Sequence, residues 1–154
     1  MKEKIFNTSE SIAPLVTRVL LGLVIFPHGA QKLLGWFGGY GFSGTMTYLT
    51  NTRGLPSVIV FLVIILESFG ALALIAGVAT RVIAVSYGVL ALGILFTSHI
   101  QNGFFMNWFG NQPGEGYEYF LLWIGMATNL AITGGGSYSI DKNLISKRII
   151  GPSL

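Results

Sequence analysis

No cysteine occurs anywhere in the 154 residues. Thiol–disulfide exchange, covalent haem attachment and thiolate ligation of a metal are thereby excluded together. Charge is nearly as scarce: 10% of residues are charged, against about 25% in soluble domains. The few charges avoid four long apolar stretches, roughly residues 13–34, 55–78, 82–100 and 117–133. Each stretch approaches the ~20 residues that carry a helix across a hydrocarbon core of about 30 Å. The sequence therefore predicts an all-α membrane protein, a four-transmembrane-helix bundle filling one domain over 1–154, with a polar tail at 135–154. Glycine is plentiful, at 21 residues, and small side chains let helices approach closely in lipid, where packing drives association.

The basic residues report orientation. Lys2, Lys4, Arg18, Arg81, Lys142, Lys147 and Arg148 fall on one side of the expected spans, and Lys32 and Arg53 on the other. That split predicts both termini in the cytoplasm. It also accounts for the net charge of +3 without a nucleic-acid partner. The opening MKEKIFNTSES offers no small-residue cleavage site, so the first apolar stretch is expected to remain as a helix. Ser11 reads as its N-cap, Pro14 as a first-turn residue, and Pro27 as a kink before a polar cluster. Between the first two spans, Ser43 to Thr50 reads as a short helix at the membrane surface. The aromatics gather at the expected outer face: Trp36, Phe37, Phe104, Trp108 and their neighbours make up 12 of 20. An interfacial belt normally decorates both surfaces, so the bias leaves open a surface for an apolar ligand or a partner.

Ionisable groups inside such helices are costly and mark candidate sites. His28 and Lys32 lie one turn apart on one helix face, with Gln31 beside them. His99 ends the third span with Asn102 on its face, and Glu118 opens the fourth. At about 1.5 Å per residue the two histidines reach similar depth, so these groups are expected to line one outward-opening cavity beneath the aromatic loops. Glu67 sits deeper, near the midplane, where it must find a partner; Arg18 is one candidate for a buried ion pair.

At these residues the chain resembles the DoxX family of small membrane proteins. The resemblance rests on RVLLGLVIFPHGAQKLLGWFGG (18–39), GLP (54–56), LESFGALALIAGVATR (66–81), HIQNGFF (99–105) and GYEY (116–119). It implies a four-helix protein of the bacterial inner membrane whose relatives include subunits of thiosulfate:quinone oxidoreductases, and it points to His28, Gln31, Lys32, Glu67, His99, Asn102 and Glu118.

Two functional readings are matched in weight. In the first, the protein is a redox-linked, quinone-interacting subunit that does not use thiols. His28, Glu67, His99 and Glu118 would then carry protons and polar chemistry, and Gln31, Lys32, Asn102, Trp36 and Phe104 would hold the ligand. An apolar slot with a few hydrogen-bond donors and a proton relay suits a quinone, and a separate protein partner would supply electrons. In the second, the chain is a non-catalytic assembly or scaffold subunit of a larger membrane complex. Ligation of a b-type haem by His28 and His99 is a lesser alternative. The lipid bilayer is the one partner every reading shares.

Overall fold

A computed structural model describes residues 8–149. Lys2, Lys4 and most of the opening segment read for a leader lie outside the described residues, as do the side chains of Lys147 and Arg148. Among the described residues the regular structure is entirely helical. Helix α1 spans Ala13–Leu34, with Pro14 in its first turn and the Ser11 hydroxyl accepting from the Ala13 amide at 3.1 Å. It continues through Pro27 and stops at Gly35, whose positive φ a glycine adopts without strain. A tight turn over Trp36–Gly38 leads into the short helix α2, Gly41–Thr47, which ends in a wide turn over Tyr48–Thr52. A short helix was expected at 43–50, and α2 begins two residues earlier.

Helix α3 covers Ser57–Ala76 and helix α4 covers Thr80–Asn102. With α1, they are the three helices among the described residues that are long and apolar enough to cross a membrane. Helix α5, Glu118–Thr133, coincides with the fourth apolar stretch but has only 16 residues. The polar tail contains a helix not expected from the sequence, α6, over Ile140–Ile149. Ser139 caps it, its hydroxyl accepting from the Lys142 amide at 3.2 Å, the N-cap pattern that marks this start in the sequence.

Helix α1 packs along α3 and α4 packs along α5. The described ends of the chain meet at one end of the bundle, where the Ser9 amide donates to the Thr133 carbonyl and the Ser137 hydroxyl to that of Glu10. The α3–α4 turn lies there as well, since the Asp141 amide donates to the Gly77 carbonyl. The two aromatic loops occupy the other end.

The seam between α1 and α3 is made by glycine. A Cβ on Gly29 would stand 2.4 Å from the Glu67 backbone, and one on Gly22 would stand 2.9 Å from the Ala71 carbonyl. Backbone cannot yield as a flexible side chain can, so both sites demand glycine. We expect Gly29→Ala to lower the thermal midpoint of the purified protein. Gly93→Ala, where a Cβ meets nothing within 4 Å, should leave it unchanged or raise it through better helix propensity. Equal behaviour of the two variants would contradict this seam.

Candidate functional site

Close approach at Gly29 brings Lys32 over Glu67. The Lys32 ammonium donates to Glu67 Oε2 at 2.5 Å, and a longer contact of 3.5 Å reaches the His28 carbonyl one turn back. Glu67 is 2% exposed, whereas the Lys32 side chain keeps 26% of its surface open. An ion pair buried between two largely apolar helices must satisfy both charges internally. The backbone is irregular at the same point: α3 widens to a π-turn over Leu66–Gly70. Such single-turn bulges often occur at functional sites. The turn is braced from α4, whose Tyr87 hydroxyl donates to the Leu66 carbonyl at 3.0 Å.

Tyr87 and Tyr119 both lie within electrostatic reach of Glu67. Trp123 meets Tyr87 edge-on at 6.0 Å between ring centroids and Tyr119 at 6.1 Å. Among the described residues, the buried Trp123 indole N–H and the buried Ser68 hydroxyl have no hydrogen-bond partner. A buried donor left unpaired is expensive, so each is a place where an oxygen acceptor would be stabilised. Of these residues, sequence reasoning reached only Glu67 and Lys32. Ser68, adjacent to Glu67 in an apolar run, and Tyr87, midway along α4, were the available signals for the rest.

Arg18 does not pair with Glu67. Fully buried, it donates instead to four backbone carbonyls: those of Leu74 at 3.3 Å and Ile75, at the end of α3, and those of Gly135 at 3.0 Å and Tyr138 at 2.9 Å. A helical side chain leans toward its own N-terminus. That lean carries Arg18 toward the chain ends and away from Glu67, and it carries Lys32 inward from its position near the loops. Asp141 completes this end, its carboxylate accepting from the Ala79 and Thr80 amides at 2.8 Å each, at the start of α4.

The remaining sequence-predicted residues form a second group at the loop end. His99, within a π-turn over Leu95–His99, places Nδ1 2.8 Å from the Glu115 carbonyl and its ring 4.6 Å from that of Phe120. The Asn102 amide donates to the same carbonyl at 3.0 Å. Glu118 accepts the Met106 amide at 2.9 Å and so holds the second loop. Gln31 donates to the Phe37 carbonyl at 3.3 Å. The His28 side chain is exposed and makes no hydrogen bond among the described residues. Trp36 and Phe104 are exposed in the loops, Phe104 meeting the Tyr117 ring at 5.5 Å. The geometry thus joins Lys32 to Glu67, and His99 to Asn102 through Glu115.

Residues 13–100, more than half of the chain, match the DoxX family. The chain is 33% identical over 144 residues to the inner membrane protein YqjF of Escherichia coli, covering 90% of this chain and 96% of that one. It is 29% identical over 135 residues to the "Putative oxidoreductase CatD" of Bacillus subtilis, covering 88% and 89% respectively. A second Escherichia coli inner membrane protein, YphA, is 24% identical over 141 residues, covering 89% and 94%. No solved structure matches. The chain belongs to the DoxX family, and its apolar helices and relatives make it a bacterial inner-membrane protein.

Proposed function

We propose that this DoxX-family chain is a redox-linked membrane subunit that binds a quinone, with Lys32 and Glu67 as its proton-bearing pair. One observation carries the reading: an ion pair held in the bundle interior at a π-turn, beside donors that have no partner. The oxidoreductase name borne by the Bacillus subtilis relative points the same way.

A quinone supplies a two-electron, two-proton carrier whose carbonyl oxygens accept hydrogen bonds. The Trp123 indole and Ser68 hydroxyl are suited to donate to such oxygens. Tyr87 holds the widened turn that presents Glu67. The Glu67 carboxylate holds a proton position at Oε2, and the Lys32 ammonium, partly open, can exchange that proton with the surroundings. Electrons come from a partner subunit.

The experiment is to extract quinone from protein purified natively in mild detergent. Wild type should retain quinone in near-stoichiometric amount, and the charge-neutral double variant Lys32→Met/Glu67→Gln should retain little while still eluting as folded protein. Equal retention by the two would reject the pair as the site.

The same reading includes four spans with both termini in the cytoplasm. It rests on the charge split and on α5, whose ~24 Å length is completed by flanking aromatic residues. In intact cells, a cysteine at Asn111 should react with an impermeant maleimide and one at Asn143 only after lysis. The opposite pattern would reverse the orientation.

A further inference from the structure

The second loop is a polar-lined turn with its greasy side outward. Residues 103–114 contain no charged side chain, yet Trp108 is 81% and Phe109 is 90% exposed. Water would be a poor environment for such a surface.

Five amides of the backbone beneath those rings are paired within the loop or to the carboxylates that flank it. The Glu118 carboxylate takes the Met106 amide at 2.9 Å and the Glu115 carboxylate takes the Asn107 amide at 2.6 Å. Asn107 and Gln112 exchange two bonds, at 3.2 and 3.1 Å, and the Trp108 and Gly110 amides donate within the loop. The carboxylates of Glu115 in the loop and of Glu118 at the start of α5 are therefore turned onto backbone. An irregular segment needs such internal pairing where water is scarce.

Length supplies a third and independent argument. Helix α4 has 23 residues, about 34 Å, whereas α5 has 16, about 24 Å. The hydrocarbon layer is about 30 Å thick. If α5 crosses the layer, residues next to it must make up the difference, and the residues next to it are this loop. Phe96 and Ile100, near the end of α4 that leads into the loop, are exposed as well.

We propose that loop 103–117 is an interfacial anchor that lies at the headgroup–acyl boundary of the leaflet, with Trp108 and Phe109 inserted. The occupant of this surface is lipid, and neither a protein partner nor a second copy is needed to cover it. Amphipathic and aromatic side chains favour this depth. The inference stands apart from the quinone reading, because it uses none of the residues around Glu67.

Because the chain has no cysteine, a nitroxide can be attached at one site. Phe109→Cys, labelled and reconstituted in phosphatidylcholine–phosphatidylglycerol vesicles, should collide with oxygen more than with a water-soluble nickel chelate. Asn143→Cys should show the reverse ratio. Since the label replaces a ring, the emission of Trp108 alone, in the Trp36→Phe/Trp123→Phe variant, provides the second measurement. Lipids brominated near the glycerol end of the chain should quench most of it, while iodide equilibrated across the vesicles quenches little. A nickel-accessible label at position 109, or strong iodide quenching of Trp108 without bromolipid quenching, would overturn the proposal and leave the surface free for a protein.

Discussion

Lys32→Met alone is expected to damage the protein more than Lys32→Met combined with Glu67→Gln. The single change leaves a carboxylate that is 2% exposed without the ion-pair partner it has among the described residues. Breaking a buried pair from one side typically costs about 3–5 kcal/mol, whereas replacing both members by neutral groups is often neutral. Glu67→Gln alone should be milder than Lys32→Met, because the surviving cation is partly open and its flexible stem can turn outward. Thermal unfolding of the three variants in one detergent, followed by size-exclusion of the folded fraction, gives the order directly. Equal loss in the single and double variants would mean that the pair is not a coupled unit.

Arg18→Met is expected to be the most harmful single substitution in the molecule. It deletes a donor to each of the Leu74, Ile75, Gly135 and Tyr138 carbonyls at once, of which Leu74 keeps the Gly77 amide at 3.0 Å. Each buried polar group left unpaired costs about 1–3 kcal/mol. The carbonyls belong to the end of α3 and to the α5–α6 connection, so the damage spreads across both helix pairs. Arg18→Lys should rescue little, since an ammonium is a point donor and cannot span the same fork of acceptors. The expected result is loss of monodisperse protein for both variants; a folded, heat-stable Arg18→Lys protein would contradict the assignment of the guanidinium geometry as essential.

The helix positions were legible because charge is excluded from long segments regardless of packing. The expected stretches at 13–34, 55–78, 82–100 and 117–133 fall within a few residues of α1, α3, α4 and α5. The burial of Glu67 was legible too, because a charge inside a long apolar stretch must be shielded, and it is 2% exposed. Rotation about each helix axis was not. Similar depth for His28 and His99 says nothing about which way they face, and that depends on a seam fixed by Gly22 and Gly29. The choice of Lys32 over Arg18 as partner for Glu67 depended on side-chain lean and on reach, not on spacing. Helix α6 escaped because its sequence is polar and carries no membrane signal, although Ser139 ahead of Ile140 was a usable cap. The π-turns at Glu67 and His99 leave no pattern in a single sequence.

The most direct test of the central claim is the infrared difference spectrum between oxidised and reduced quinone bound to the purified protein. If Lys32 and Glu67 bear the proton that accompanies the electrons, reduction should change a carboxyl stretching band, and Glu67→Gln should remove that band while leaving the quinone signals in place. A difference spectrum that keeps every carboxyl feature in Glu67→Gln would contradict the account.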